Sequence, residues 1–399
     1  MAPVTAEHSE IGRRLRQIRH LRGKTLAVIA GRAGISAAHL SRLESGERAL
    51  DRRSLIVRLA EALEVAPADL TLAPVAHSAG DLAEDRFLSE VRLALLAVNV
   101  HEPGGATCSP EELAARVDEV LTAQRDCRYD RVGEVLPDLI RDLHATVATG
   151  RDEGRLLRLL TLLHVQGTQA WLMDIGAPLD LGWQAATLAR QAAERLDEPL
   201  SLALSAFGTA FGLLGAGAFD LAARVLSAPE VGTAGSVESQ VSGMLSLTSS
   251  LVSAAAGDQA GRSAALAHAA ELAERTGEGN ALWFGFGPGN VGVWRMAVAL
   301  ESGEHAEAAR IAEAIDPTTL PSRTRQAAYW RDYGRALARL PKRLDDAVVA
   351  IRNAELISPA RVYRHPFTRS LLAELVAKAK RNAAGRELRG MAYRAGLSV

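Results

Sequence analysis

The sequence predicts an all-α fold in two parts, a compact bundle of short helices followed by a long array of helical hairpins. Three observations predict it. Alanine and leucine dominate while β-branched runs are scarce, and no Asn-Gly or Asp-Gly pair separates alternating apolar segments as a strand hairpin would. Between Lys24 and Gly46 the apolar and small residues have the spacing of two short helices meeting at a tight turn. Further on, Gly176-Ala-Pro, Gly217-Ala-Phe-Asp, Gly257-Asp and Gly303-Glu recur about 41, 40 and 46 residues apart, a period that suits stacked helical hairpins. At 399 residues and 48% hydrophobic content, the chain can bury at least two cores.

Taken in order, the first helix carries Leu15, Ile18 and Arg19. Thr25 N-caps the second, whose inward face carries Leu26, Ile29 and Ala30 and which ends at Ala33 and Gly34. Gly34 supplies the turn, because a residue without a Cβ tolerates positive φ and lets the next helix come close. Ser36 caps the third helix, which buries Leu40 and Leu43 and leaves Ala37, Ala38, His39, Ser41 and Arg42 facing elsewhere. This is the layout of a DNA-binding helix-turn-helix. A fourth helix is expected from Arg53 to Leu63 with Asp51 as its N-cap, and a short fifth opens at Ala66-Pro-Ala-Asp-Leu70.

On these residues, together with Ser41-Arg-Leu-Glu-Ser-Gly46, the stretch from Ile11 to about Leu70 resembles the DNA-binding domain of the phage repressor and Cro (XRE) family. The resemblance implies a lambda-repressor-like bundle of five helices. It implies a structural ion pair between Arg19 and Glu44, and base contacts from Ala37, Ala38 and Arg42. Two alanines can touch thymine methyls, while Arg42 can hold guanine O6 and N7. His39 and Ser41 are expected at phosphates or base edges, and Thr25 and Ser36, at the helix N-termini, complete that face. Many relatives start the second helix with a glutamine that orders the backbone contact, and this chain has Leu26 there. Arg48, Arg52 and Arg53 are therefore expected to grip the phosphates.

Charge points the same way. From Glu10 to Arg58 there are 12 Lys and Arg against four acids, a local +8, whereas the whole chain carries 46 basic and 47 acidic residues. Phosphate binding is thus expected to be confined to residues 10–72, with a linker over 73–80 and a helical sensor or dimerisation domain over 81–399. In that last part helices are expected from Leu82 to Val100 and, behind a capping box of Ser109 with Glu112, from Pro110 to about Arg125.

Gly334, Ala347, Ile351, Ala354 and Pro359 resemble one tetratricopeptide (TPR) repeat, with one extra residue between its helices, and imply a TPR-like superhelix with a concave groove. Phe286–Glu304, Arg361–Leu371 and Glu387–Gly396 also resemble a group of actinobacterial regulators that join such a helix-turn-helix to a degenerate repeat domain. That resemblance implies a transcription factor. All five tryptophans, Trp171, Trp183, Trp283, Trp294 and Trp330, lie in the helical part, as packing residues or as pocket walls. Asn290, just after Gly287-Pro-Gly289, either caps a helix or holds a peptide's main chain, with Trp294 and Arg295 one turn on and Trp283 nearby. These four are the candidate effector residues.

Catalytic signatures are missing: there is no Gly-x-Ser-x-Gly, phosphate loop, dinucleotide fingerprint or His pair at metal-ligand spacing, so neither enzyme chemistry, metal nor cofactor is expected. Cys108 and Cys127 lack CxxC spacing and fit a reducing compartment. With no export signal and no run of some 18 apolar residues expected, the reading is a cytoplasmic protein off the membrane. Its expected partners are a double-stranded DNA operator, a second copy of the chain, and a peptide or small-molecule effector. The competing readings are a helical scaffold that uses the helix-turn-helix as an anchor, and an antitoxin-like DNA binder.

Overall fold

The computed structural model describes residues 10–71, 81–379 and 382–397, and these are helical with no strand among them. The expected linker over 73–80 lies outside the described residues. Helices α1 (Glu10–Leu21), α2 (Leu26–Arg32), α3 (Ala37–Glu44), α4 (Arg53–Leu63) and α5 (Pro67–Thr71) close around Leu15, Ile29, Leu40, Leu55 and Leu59. In α4, Leu55, Ile56, Leu59, Ala60 and Leu63 recur at three and four residues and are buried, the stripe that an amphipathic helix turns to its core. One residue of this core comes from far along the chain, Phe367.

The array opens with α6 (Asp81–Asn99), α7 (Pro110–Arg125), α8 (Tyr129–Val147) and α9 (Glu153–Leu162). Ser109 Oγ accepts from Glu112 N at 3.2 Å and starts α7, as its sequence suggests. After α9 the helix widens into a π-helical stretch, Leu163–Gln169, and continues as α10 (Ala170–Asp174). Such widenings are uncommon and re-aim side chains. Then follow α11 (Leu179–Leu196), α12 (Pro199–Ala216), α13 (Phe219–Ser227), α14 (Ser236–Ala256), α15 (Gln259–Thr276), α16 (Pro288–Glu301) and α17 (His305–Glu313). The chain closes with α18 (Arg323–Leu337), α19 (Leu344–Ile357), α20 (Pro359–Tyr363), α21 (Pro366–Ala377) and α22 (Ala383–Arg394).

The four glycine turns share one geometry. Ala177, Ala218, Asp258 and Glu304 each donate their backbone N–H to the carbonyl five residues back, at 2.8, 2.9, 2.8 and 2.8 Å. Before each stands Gly176, Gly217, Gly257 or Gly303 with φ of 69, 78, 80 and 78°. This Schellman ending satisfies carbonyls that a helix end would leave bare, and it reverses the chain the same way each time. The repeating unit is therefore a helix pair, α12 with α13, α14 with α15 and α16 with α17. α12 departs from the expectation of no long apolar run: it is long and apolar enough to cross a bilayer, and most of it is buried among neighbouring helices.

The α18–α19 pair crosses most tightly at Gly334. A Cβ there would lie 2.6 Å from the Ile351 side chain, 3.1 Å from its backbone nitrogen and 3.2 Å from the Ala347 carbonyl. Elsewhere in a helix, Gly to Ala stabilises by up to about 1 kcal/mol. At Gly334 the sign inverts: Gly334→Ala is expected to destabilise the chain by about 1–3 kcal/mol, because the backbone of α19 must move. Urea unfolding checks this, and a midpoint equal to or above wild type refutes the close crossing.

Candidate nucleic-acid interface

Two side-chain caps set the helix-turn-helix. Thr25 Oγ1 accepts from Val28 N at 3.3 Å and Ser36 Oγ accepts from His39 N at 3.1 Å, so both hydroxyls serve the backbone. The turn between them holds Gly34 at φ 64°, with Ile35 N donating to the Ala30 carbonyl at 2.9 Å. Leu40 and Leu43 are buried, whereas Leu26, expected inside, is only half-buried.

Arg19 and Glu44 fix α1 against the end of α3. The guanidinium donates from Nε and from the second terminal nitrogen to the two carboxylate oxygens, both at 2.6 Å, and also to the Lys24 carbonyl at 3.0 Å. Both side chains are over 90% buried, so the pair is a fork-to-fork contact shielded from water.

Orientation follows from that clamp. α3 turns Ala37, Ala38, Ser41 and Arg42 outward, all exposed, with His39 half-buried beside them. Burial lowers the His39 pKa, and the positive charges of Arg48, Arg42 and Arg52 lower it further, so the imidazole is neutral at neutral pH and can both donate and accept. The side-chain hydrogen-bonding groups of this face are thus few, on Arg42, Ser41 and His39, and Arg42 Nε already reaches the Ala38 carbonyl at 3.4 Å.

The loop from Glu47 to Arg53 is placed differently from its expected role. Arg53 pairs with Glu301 at 3.2 Å and lies over the Phe367 ring, 5.7 Å from its centroid. Arg52 pairs with Asp51 at 3.6 Å and packs on the Gly303 turn, where an added Cβ would meet it at 2.8 Å. Arg48 is half-buried; burial lowers its pKa and the charge of Arg339 lowers it again. All three are drawn toward the array. Asp51 does not cap α4 as expected, because its carboxylate faces Arg339 at 3.3 Å and its carbonyl accepts from Arg335 at 3.0 Å. The cap comes instead from Glu301 at the end of α16, which accepts from Ser54 N at 3.2 Å.

A seam of charge continues from there. Glu374 accepts from Ala49 N at 2.8 Å, from Arg339 at 2.8 and 2.7 Å and from Lys378 at 2.8 Å, and Lys378 also donates to the Glu47 carbonyl at 2.9 Å. Burial works against the charge of Asp51 and Glu374, but Arg339 and the other cations outweigh it and hold both pKa values below the ordinary range. His305 lies 3.9 Å from Asp51, yet burial holds its pKa to about 4, so it is uncharged at neutral pH. Glu301, Arg335, Arg339, Phe367 and Glu374 were not legible as partners of the first bundle. They lie some 250 to 330 residues away, and nothing in their local pattern distinguishes them from ordinary helix residues.

Residues 10–73 match the family model of a helix-turn-helix domain. A helix-turn-helix domain points to a DNA-binding regulator. No curated protein and no solved structure gives a significant match.

The four candidate effector residues divide. Trp283 and Trp294 line a cavity of about 260 Å³ within the array. Asn290 does not: Gly287 is the N-cap of α16, and Asn290 is fully buried inside the helix with Nδ2 3.6 Å from Met244 Sδ and Oδ1 unpaired. Arg295 is exposed on the outer side of the same helix. Among the described residues no cluster of metal-ligating side chains occurs.

Removing one partner of a buried charge pair leaves the other desolvated. Arg19→Ala is expected to cost about 3–5 kcal/mol, whereas the double change Arg19→Met with Glu44→Leu costs less than the single one. Chemical unfolding of both variants decides it, and equal losses contradict the clamp.

Proposed function

We propose that this chain is a sequence-specific, DNA-binding transcriptional regulator of the XRE type. Residues 10–72 bind the operator, and a TPR-like helical domain over residues 81–399 dimerises the protein and senses an effector. The observation that carries the reading is the exposed face of α3, bearing Arg42 with Ala38 and Ser41, on a helix-turn-helix that concentrates the positive charge of a near-neutral chain. One recognition helix reads only a few base pairs, so two copies on a palindrome are needed for useful affinity. An apolar stripe, Leu93 and Leu96 on α6 with Val100 just past its end, supports a dimer contact there, each residue being at least 46% exposed at i, i+3 and i+7 spacing. A cytoplasmic setting follows from the work on DNA. The catalytic reading has no support in the residues described above.

Selection of sites by the full chain from a randomised duplex library tests this reading. A regulator enriches one motif, two half-sites about one helical turn apart. A scaffold with a helix-turn-helix anchor enriches none.

Two substitutions extend the test. Arg42→Ala is expected to lose about 1–3 kcal/mol on the selected site and far less on random duplex, because a bidentate guanine contact carries discrimination as well as affinity. Competition binding at fixed salt measures both losses, and equal losses refute base reading by Arg42. Leu96→Glu is expected to yield a monomer in sedimentation while leaving the helical content intact, and an unchanged dimer places the interface elsewhere.

A further inference from the structure

The cavity within the array has two unlike walls. One is aromatic: Phe207 meets Phe211 and Phe284 edge-on at 4.9 and 4.8 Å, and Trp294 lies 6.2 Å from Phe211. The other is cationic. Six arginines line the space against three carboxylates, and those three are already engaged: Asp174 by Arg361, Asp332 by Arg331 and Arg335, Glu301 by Arg53. Arg125 and Arg325 have no carboxylate partner among the described residues: Arg125 donates to the Pro321 carbonyl at 3.0 Å and lies over the Trp283 ring, 5.8 Å from its centroid, and Arg325 donates to the Phe284 carbonyl at 3.5 Å. Enclosure pulls the Arg325 pKa down to about 10, the charges of Arg361 and Arg125 add to that and Asp174 works against it, and the group stays protonated at neutral pH. Arg325 is thus a half-buried cation with no carboxylate at ion-pair distance among the described residues; Asp174, the acid acting on it, is held by Arg361.

Two further features belong to a site rather than to a packing gap. The Trp294 indole N–H has no acceptor although the residue is only 6% exposed. Trp283, which lines the cavity, and Leu282 before it hold left-handed φ of 62 and 47°, a conformation that costs energy for residues with a Cβ. The volume of about 260 Å³ suits a small molecule and not a length of extended peptide.

We propose that this cavity is the effector site and that its ligand is a small organic anion with an apolar, ring-sized body. The acidic group neutralises Arg325 and Arg125, and the body lies on Phe207, Phe284 and Trp294. The regulatory consequence rests on the reading of the chain as a DNA-binding regulator. Arg335 donates both to Asp332 inside the cavity, at 2.9 Å, and to the Asp51 carbonyl of the first bundle, at 3.0 Å. Phe367 lies 5.1 Å from Arg335 and 5.7 Å from Arg53. An anion that draws on these guanidinium groups loosens the loop from Glu47 to Arg53 and so alters how the recognition helix is presented.

Titration of the full chain with 8-anilinonaphthalene-1-sulfonate, an aromatic anion, and with uncharged N-phenyl-1-naphthylamine tests the site without DNA. One sulfonate probe per chain is expected. Arg325→Gln weakens the sulfonate by about tenfold or more, the loss of a charge-assisted contact, and moves the uncharged probe less than about twofold. Arg325→Lys keeps most of the sulfonate affinity. Ala297→Phe, which fills the cavity, removes both probes. Equal sulfonate affinity in wild type and Arg325→Gln overturns the proposal, as does binding that survives Ala297→Phe. If Arg325→Gln does not fold, Ala297→Phe and Arg325→Lys decide. A chain that binds the sulfonate but selects no DNA motif keeps the site and loses the regulator; one that selects a motif but binds no probe loses the site alone.

Discussion

The arrangement of the molecule depends on Glu301. It closes α16 where the Gly303 turn begins, caps the first turn of α4 through Ser54 N, and pairs with Arg53. α4 therefore starts where the array tells it to start. Around this point lie Asp51 with Arg339 and Glu374 with Ala49, a set of charges that water reaches little. Buried pairs of this kind add little net stability, because desolvation takes back most of the attraction. Their value is in geometry. Each oxygen has a designated donor, so a rotation of the bundle by a few ångströms would leave several charges unmatched at once, and one docking orientation is selected. Apolar contact reinforces it: Phe367 completes the first core, and Val57 fits against Gly217, where a Cβ would come within 2.6 Å.

Local structure was legible because it is local. The boundaries of α7, the caps at Thr25, Ser36 and Ser109 and the four glycine turns all follow from residues within one or two turns of each other. The Arg19–Glu44 contact was reached through family resemblance, and the geometry has the same two residues in a forked pair. Long-range partners could not be read. Asp51 has the composition and position of an N-cap, and only a guanidinium from α18 makes it something else. Asn290 follows Gly287-Pro-Gly289 as a cap would, but the helix starts earlier, at Pro288, and carries it inward. The π-helical stretch that brings Gln166 and Gln169 to the cavity leaves no mark that distinguishes Leu163–Gln169 from ordinary helix.

The phosphate-gripping role assigned to Arg48, Arg52 and Arg53 meets a physical competitor. Arg53, which holds Glu301 and stacks on Phe367, cannot at the same time neutralise a phosphate, so in the proposed reading DNA and the array compete for it. Competition of that sort is what couples two sites. Coupling needs a ligand to favour one arrangement over another by a real difference in free energy, and shared guanidinium groups supply such a difference directly.

The route from cavity to recognition helix is short and uses few atoms. Asp332 is held near a pKa of about 2, since Arg331 and Arg335 outweigh its burial, so it remains a fixed negative charge through the whole physiological range. Arg335 stands between that charge and the Asp51 carbonyl. From Asp51 the chain runs back in nine residues to Arg42, and Arg48 N closes the intervening turn by donating to the Arg42 carbonyl at 2.9 Å. An anion held by Arg325 and Arg125 would find Arg331 committed to Asp332 by both ends of its fork, at 2.9 and 3.0 Å, so the neighbouring group that can shift toward it is Arg335, which shares its donors between Asp332 and Asp51. Signal and reading face are thus joined through one side chain and one loop, with no need for movement in the body of the array.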